Sequence, residues 1–366
     1  MKIPFQDFKT DAKQRRKQYQ SAFDRVLDNG WYILGPEVEK FEQEFAQYLG
    51  SKYCIGVANG LEALQISLMA LEIKKGDEVI TTPLSAVATT LAILAVGATP
   101  VFVDTDENGM IDLNLIPQAI TKKTKAILPV HLYGNSLQMD LLKKICKQNN
   151  LLLIEDAAQA HGTEFKGKKV GTFGELGCFS FYPTKNLGAM GDAGAIVTNS
   201  LDLAQKCRTI RDYGQKSKYV HTTFGLNSRL DEFHAAILRE KLRFLDADNK
   251  EKNKLADLYF ERLKDISQLE IILPIKDSLS CRHLMVIKTK KRNQLQEYLE
   301  KQGIASLVHY PILIPDQPFL INEFGKVNLP IARRLVKEIL SLPAYPQMNT
   351  QQLDYVVKNI INFFEN

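Results

Sequence analysis

LLLIEDAAQAHG (residues 151–162) and SFYPTKNLGAMGDAGAIVTN (residues 180–199) are the two stretches of this chain that decide its fold. The first runs from four aliphatic residues directly into two carboxylates, the second of which is Asp156. A strand buried on both faces has this pattern where it reaches the carboxyl edge of a parallel sheet, and open α/β sheets bind ligands at that edge. The stretch therefore predicts an α/β fold with Asp156 beside a ligand.

Lys185 lies in the second stretch, between Pro183 and the glycines Gly188 and Gly191. Backbone of this composition does not continue a helix or a central strand, so a turn carries the lysine amine. Lysine is the common side chain that forms a Schiff base with an aldehyde, and a carboxylate such as Asp156 keeps a pyridine nitrogen protonated. The pair indicates a pyridoxal phosphate (PLP) site, although each residue alone is more often a surface charge or a helix cap.

The chain around these stretches alternates short apolar runs with helical periodicity, which is typical of α/β proteins. Leucines at positions 61, 64, 68 and 71 stripe one face of a helix that begins at Asn59–Gly60. The predicted strands are EVITT (78–82), TPVFVD (99–104), KAILPV (125–130), LLLIED (151–156), CFSFY (178–182) and GAIVTN (194–199).

A second region follows the stretch 229–264, which contains neither Pro nor Gly and is predicted to be a strongly helical, long connection out of the large domain. Beyond it we predict a strand at 283–288, a helix at 292–303, the segment ASLVHY and two further helices. The expected architecture is a large, mostly parallel-sheet domain over 1–245, including an N-terminal arm, and a smaller C-terminal α+β domain over 246–366.

Composition is that of a soluble enzyme. The 366 residues are 45% hydrophobic, with no apolar run near the length of a membrane span, so we expect a cytoplasmic protein without a membrane partner. A net charge of +5 from 47 basic and 42 acidic residues does not indicate a nucleic-acid partner. Five scattered cysteines, at positions 54, 146, 178, 207 and 281, have no metal-binding spacing, and we expect no metal site.

Several strings resemble, in the same order, the DegT-type family of PLP-dependent nucleotide-sugar aminotransferases, a branch of the fold-type-I PLP enzymes. The resemblance covers nearly the whole chain. The matching strings are WYILGPEVEKFE, VANGLEAL, GATPVFVD, ILPVHLYG, EDAAQAHG, the lysine segment, GLNSRLDEFHAAILR and VHYP. The fold-type-I architecture and PLP as cofactor are what this resemblance implies.

A phosphate is expected at the start of the helix after VANG, where the amides of Gly60 and Leu61 meet the positive end of the helix dipole. The resemblance adds further cofactor contacts. It implies that Lys185 is both the imine partner and the proton shuttle, and that the other cofactor residues are Asp156 at the pyridine nitrogen, Gln159 near the ring, Ser180 at the phosphate and Asn227 from the partner subunit of a homodimer.

Candidate substrate residues are Tyr182, Tyr213, Arg229, His309 and Tyr310. The last two belong to VHYP, the best family match among them, although an aromatic residue in a large domain is more often part of the core. A guanidinium fork such as that of Arg229 suits the carboxylate of an amino donor, but a salt bridge at a helix start would explain it equally.

Two segments depart from the family pattern. Many members place an aromatic residue or histidine after the third strand to stack on the pyridine ring, whereas PLSAVATT (83–90) offers Val87. After VHYP the family usually continues with a second proline and a histidine, whereas this chain reads ILIPDQPF (312–319), which puts sugar recognition by that loop in doubt.

Lys185 favours amino transfer, since the resembled dehydratases have histidine there. WYILG with VANGLEAL most resembles enzymes that transfer an amino group from L-glutamate or glutamine to C-3 of a dTDP-linked 3-keto-6-deoxyhexose. The alternatives are amination at C-4, a UDP- or GDP-linked ketosugar, and a non-catalytic PLP-binding regulatory relative. A nicotinamide dehydrogenase is disfavoured because no GxGxxG follows an early strand.

Overall fold

The computed structural model describes residues 1–365 and is built on a seven-stranded sheet with the order β1-β9-β8-β5-β4-β2-β3. β9 is antiparallel to both of its neighbours, and the other six strands are mutually parallel. The strands are β1 (Tyr53–Val57), β2 (Glu78–Thr81), β3 (Thr99–Phe102), β4 (Thr124–Leu128), β5 (Leu152–Asp156), β6 (Glu164–Phe165), β7 (Lys168–Lys169), β8 (Leu176–Ser180), β9 (Gly194–Thr198), β10 (Gln215–Ser217), β11 (Val220–His221), β12 (Glu270–Ile271), β13 (Ser278–Leu279), β14 (Met285–Lys288) and β15 (Ile339–Leu342).

Helices cover both faces of this sheet, as continuous apolar strands require. The helices are α1 (Phe8–Gln14), α2 (Arg16–Asn29), α3 (Pro36–Leu49), α4 (Gly60–Ala70), α5 (Ala88–Ala95), α6 (Ile116–Ala119), α7 (Met139–Asn149), α8 (Leu201–Arg211), α9 (Glu232–Leu242), α10 (Leu245–Leu263), α11 (Arg292–Lys301), α12 (Pro318–Phe324), α13 (Pro330–Glu338) and α14 (Thr350–Glu365). Successive residues of β8 point to opposite faces, so Cys178 packs with α4, α5 and α8 while Phe179 packs with α3 and α9.

The parallel strands bring the ends of several elements to one edge of the sheet. β5 ends at Asp156 and β8 at Ser180, and Ser180 pairs with Gly194 at the start of the antiparallel β9. On the far side of β9, Val57 at the end of β1 pairs with the same Gly194. The turn that follows β1 and the turn that contains Lys185 therefore begin at the same edge as Asp156.

The six predicted strands are confirmed, each within two residues at either end. The prediction omitted β1, whose sequence YCIGV is short and lies directly between two helices. The helical character predicted for 229–264 is confirmed, but as two helices, because the chain turns at Arg243–Phe244 between α9 and α10. The two helices have different packing partners, since α9 contacts α2 and α3 whereas α10 contacts α14. One straight helix could not reach both groups.

A second, three-stranded antiparallel sheet has the order β12-β14-β15, and its core packs on α10, α11 and α14. The predicted strand and helix at the start of this region are confirmed, but three helices, not two, follow residue 310 because the short α12 was missed. Ile3 from the start of the chain forms a bridge with Ile304 and packs in the same core. The boundary near residue 245 stays a prediction.

The remaining observations on residues 1–365 concern the cysteines, metal sites and membrane spans. All five cysteines are buried and unpaired. In this part of the chain no cluster of His, Cys, Asp and Glu is suited to a metal ion, and none of its helices has the length and apolar character of a bilayer span.

Glu155 is a fully buried carboxylate beneath the sheet edge. Its Oε1 accepts hydrogen bonds from the amides of Phe173 (2.6 Å) and Gly174 (2.8 Å), and its Oε2 accepts one from Gly171 (2.8 Å). His131 Nε2 lies 3.0 Å from the same Oε2. Burial opposes ionisation, but the hydrogen bond from His131 and the backbone amides hold the pKa of Glu155 below its usual value. One ionised side chain therefore satisfies the loop between β7 and β8.

We expect Glu155→Gln to lower the free energy of unfolding by about 3 kcal/mol at pH 7, because an amide leaves buried donors without an acceptor. The folded pKa lies below the unfolded one, so this stabilisation is present above an unfolded pKa of about 4.3 and is lost as pH falls through the folded value. Denaturant unfolding of wild type and variant from pH 7 to pH 3 measures it. Glu261→Gln, at an exposed position of α10, is the control. An equal difference in stability at all pH values would contradict the assignment.

Candidate active site

Asp156 is buried, with 5% of its surface exposed, at the carboxyl end of β5. Its Oδ2 accepts a hydrogen bond from the Thr89 hydroxyl at 2.9 Å, and its Oδ1 accepts one from the amide of Ala158 at 3.1 Å. Burial raises the pKa of Asp156, while these two hydrogen bonds and the charge of Lys185 oppose the increase. A cationic group brought against this carboxylate would therefore keep it ionised.

Lys185 lies in the turn between β8 and β9, where its amide donates to Tyr182 O at 2.8 Å. Loss of solvation lowers the pKa of its amine to about 8, although the negative charge of Asp156 acts in the opposite direction. An ordinary lysine has a pKa near 10.4, so this amine is neutral far more often at neutral pH than a surface lysine is. A nucleophilic and basic amine is thus placed in the electrostatic field of a buried carboxylate.

Two glycines let the start of α4 approach the end of β8. A Cβ atom built on Gly60 would lie 2.6 Å from the Ser180 Cβ, and one on Gly194 would lie 2.4 Å from Asn59 O. Asn59 caps the helix by accepting from the Glu62 amide at 2.9 Å, which leaves the first-turn amides of Gly60 and Leu61 without a helical acceptor. Amides, hydroxyl and helix dipole together form a cradle suited to a phosphate.

Gln159 and Tyr310 meet beside the carboxylate. Gln159 Oε1 accepts from the Tyr133 amide at 2.7 Å, and its Nε2 donates to the Tyr310 hydroxyl at 3.1 Å. Burial and the charge of Asp156 raise the pKa of Tyr310 to about 12. The adjacent His309 has Nδ1 at 2.9 Å from Ser341 Oγ, and burial together with the charge of Lys185 lowers its pKa to about 4. Both residues are therefore uncharged at neutral pH.

Three other predicted residues group on a different segment. Arg229 donates to Asp212 Oδ1 at 3.2 Å, and its guanidinium lies over the ring of Tyr213, 5.4 Å from the centroid. Asn227 pairs with Asp212 and is exposed, as is Tyr213. The Arg229 contact corresponds to the salt-bridge alternative left open above. In one copy of the chain the side chains of Asn227 and Tyr213 therefore face outward.

The two segments that depart from the family pattern pack on each other. Val87 is half-buried at the start of α5, in the same turn as Thr89. In the loop 312–319, the amide of Ile314 donates to Pro83 O at 2.9 Å. Tyr182, at the mouth of the site, is 51% exposed.

Comparison with known proteins gives one family for almost the whole chain. Residues 13–361 match the model of the DegT/DnrJ/EryC1/StrS aminotransferase family. The chain belongs to this family. It is therefore an enzyme of the aminotransferase class, with the fold-type-I architecture that the sequence predicted.

Several similar proteins of the family are named for the reactions of amino sugars. The chain is 45% identical over 359 residues to the dTDP-3-amino-3,6-dideoxy-alpha-D-galactopyranose transaminase of Aneurinibacillus thermoaerophilus, covering 98% of each. It is 40% identical over 366 residues to the dTDP-3-amino-3,4,6-trideoxy-alpha-D-glucose transaminase of Streptomyces venezuelae, covering 100% of this chain and 97% of the relative. A crystal structure of S. venezuelae DesV with a ketimine intermediate matches with a TM-score of 0.98 at 40% identity, covering 100% and 99% of the two chains.

Sequence reasoning missed Thr89 and Tyr133, which contact predicted site residues directly. Thr89 lies in PLSAVATT, two residues after Val87, on a helix that follows β2 at the ligand edge of the sheet. A polar residue at such a helix start was the available signal. Tyr133 had none, because it contributes its backbone amide and any residue has one.

We expect Thr89→Val to weaken PLP binding roughly tenfold or more, because a hydrogen bond to a charged acceptor contributes about 1.5–3 kcal/mol. Since that bond lowers the pKa of Asp156, its loss raises the pKa and favours the neutral acid. Absorbance titration of the cofactor-free protein with PLP measures the affinity.

Thr90→Val is the matched control for that titration. Thr90 is equally buried on the next position of α5, and its hydroxyl has no hydrogen-bond partner among residues 1–365. Its removal is expected to leave the dissociation constant unchanged. Equal effects of the two substitutions would show that packing, not the bond to Asp156, decides the affinity.

Proposed function

We propose that this protein is a PLP-dependent aminotransferase that moves an amino group from L-glutamate, or glutamine, to C-3 of a dTDP-linked 3-keto-6-deoxyhexose. The observation that carries the proposal is the convergence of Lys185, Asp156 and the glycine cradle at one edge of the sheet. Family membership supplies the reaction class. The choice of sugar and nucleotide rests on relatives that are 40–45% identical and are named for dTDP-3-amino sugars.

The residues at the sheet edge fit PLP. The amides of Gly60 and Leu61 and the hydroxyl of Ser180 would hold its phosphate, Asp156 its pyridine nitrogen and Lys185 its aldehyde carbon. The close approach of Gly60 to Ser180 leaves no room for a Cβ, which supports a role for backbone amides at that position. When bound, PLP supplies an electron sink that stabilises negative charge on the carbon bearing the amino group.

Lys185 moves the proton in this proposal. Its Nζ would take a proton from the donor carbon that carries the amino group and, in the reverse sequence, would deliver a proton to the sugar carbon that receives the amino group. An amine with a pKa of about 8 suits both directions at neutral pH, since a base works best when its pKa is near the working pH. Asp156 holds the opposing charge, and Gln159, fixed by the Tyr133 amide, holds its neighbour Tyr310.

The sugar would lie toward His309, Tyr310 and Tyr182, which border the site. His309 and Tyr310 are neutral and present hydrogen-bonding groups, as recognition of sugar hydroxyls requires. Amination at C-4, or of a UDP- or GDP-linked sugar, would need only a few changed contacts here. These alternatives are separate outcomes of the substrate assay described below.

We further propose a homodimer whose active sites each use Asn227 from the partner. Asn227 is exposed in the single chain, and aromatic side chains around it are exposed as well, Phe224 at 76% and Tyr219 at 80%. Apolar groups exposed to this extent on one segment are typical of an interface. The cytoplasmic location and the donor remain predictions.

The central expectation is a visible absorbance band when wild type is mixed with PLP and its loss when L-glutamate is added. Lys185→Ala should show neither, because the covalent anchor is gone. Lys252→Met is the matched control, since Lys252 is a second buried lysine whose pKa burial lowers to about 8. Absence of a band in wild type, or a band in Lys185→Ala, would contradict the enzyme assignment.

The same preparation then separates the substrates. The amino form of the protein is mixed with dTDP-3-keto, dTDP-4-keto and UDP- or GDP-linked ketosugars, and return of the band reports acceptance. A protein that binds PLP but never loses the band with either donor would be the regulatory relative.

The dimer proposal predicts complementation between two inactive variants. Mixed dimers of Lys185→Ala and Asn227→Ala would contain one site with both defects and one with none. Random 1:1 exchange should therefore restore about a quarter of the wild-type rate, because half of the dimers are mixed. If Asn227 serves its own subunit, every mixed site carries one defect and no activity returns. Subunit exchange is checked with differently tagged chains.

A further inference from the structure

The turn that carries Lys185 is held by contacts on both sides of the lysine. Before it, Thr184 O accepts from Gln6 Nε2 at 2.9 Å, and after it, Gly188 O accepts from Lys241 Nζ at 2.7 Å. The residue next to the lysine, Asn186, makes three side-chain contacts of its own. Among residues 1–365, no other side chain in the turn between β8 and β9 makes as many hydrogen bonds.

The Asn186 contacts form a chain of hydrogen bonds whose direction is fixed by backbone acceptors. Asn249 Nδ2 donates to His161 O at 2.8 Å, so Asn249 Oδ1 faces Asn186 and accepts from its Nδ2 at 2.7 Å. The same Nδ2 donates to Cys281 O at 2.7 Å. Asn186 Oδ1 is then an acceptor, and His283 Nδ1, 3.0 Å away, must carry a proton.

His283 is neutral in this arrangement. It is buried, with 5% of its surface exposed, and burial lowers its pKa well below the usual value. With the proton on Nδ1, the lone pair is on Nε2. The partners of the Asn186 side chain are thus an amide, a backbone carbonyl and a neutral imidazole, and Lys252 Nζ adjoins them by donating to His283 O at 2.9 Å.

The groups near Lys185 determine how readily its amine is protonated. The titratable groups that act on its amine are the carboxylate of Asp156, the thiol of Cys281 and three imidazoles, those of His161, His283 and His309. Burial keeps the imidazoles uncharged, and Asp156 is the one acid among these groups. The contacts of Asn186 can therefore hold the turn without placing a second carboxylate beside the lysine.

We propose that Asn186, clamped by His283 and Asn249, is a positioning residue that fixes the Lys185 turn against α10 and the segment 281–283. The inference rests on the proposed function of Lys185. The clamp joins the sheet edge to the part of the chain that follows α10, so the position of the lysine depends on residues about 100 positions away in sequence. It keeps the amine in a desolvated position where it can reach the carbon from which it moves a proton.

The test compares Asn186→Ala and His283→Leu, which break the clamp, with His283→Asn, whose amide can still donate where Nδ1 does. Asn253→Ala is the matched control. Asn253 also ties α10 to this segment, donating to Ser280 O at 2.9 Å, but does not contact the turn. Melting temperatures confirm that each variant is folded.

The decisive readout uses cofactor-free protein. Acetic anhydride labels Lys185 at a series of pH values, and mass spectrometry measures the extent of labelling. Breaking the clamp lets water reach the amine, so the labelling midpoint should rise from about 8 toward the ordinary lysine value of about 10.4. The glutamate half-reaction of the loaded protein should slow by about 10- to 100-fold, as expected for a misplaced catalytic group. His283→Asn and Asn253→Ala should keep the wild-type midpoint and rate.

An unchanged midpoint and rate in both clamp variants would overturn the inference, and so would equal changes in Asn253→Ala. These results are distinct from failure of the proposed function, which wild-type protein would show by forming no band with PLP.

Discussion

The close contact between the start of α4 and the end of β8 is the constraint on which the site depends. Gly60 touches Ser180 and Gly194 touches Asn59 at distances that exclude a side chain. This contact brings the N-terminus of α4 to the edge of the sheet where β5 ends at Asp156. The antiparallel β9 begins at the same edge, because the chain enters β9 after crossing over from the end of β8. The crossing is the turn that contains Lys185, so this backbone contact places the phosphate cradle beside the acid and the amine.

Burial then shifts both charged groups toward their neutral forms. The pKa of Asp156 is raised and that of Lys185 is lowered, although the charge of each residue stabilises the ionised form of the other. Desolvation therefore outweighs their mutual attraction, as happens when two groups share a site without direct contact. A ligand that is cationic at one end and anionic at the other would relieve the cost at Asp156 while occupying the cradle, which is why the site fits PLP.

The sequence predicted those parts of the structure that depend on local pattern. Apolar runs located the six strands, and motif strings indicated Lys185 and Asp156, whose neighbourhood follows from parallel topology alone. The turn between α9 and α10 was missed because it depends on two packing partners, and the contact of Thr89 with Asp156 spans 67 residues. Hydrogen bonds between residues so far apart in sequence, including the one between Asn186 and His283, depend on three-dimensional distances that cannot be read from residue spacing.

The geometry of the segment 226–230 bears on the proposal that Asn227 serves a second copy of the chain. Ser228 Oγ accepts a hydrogen bond from the Ala58 amide, 3.2 Å away, in the turn that precedes the phosphate cradle. Leu230 packs against Gly56 on the same side. In extended backbone, successive side chains point in opposite directions, so a residue next to an inward-facing serine faces outward. Asn227 is exposed accordingly. Ser228, which contacts its own subunit's turn, thereby directs Asn227 away from that turn, and this orientation supports the proposed contact of Asn227 with a second copy of the chain.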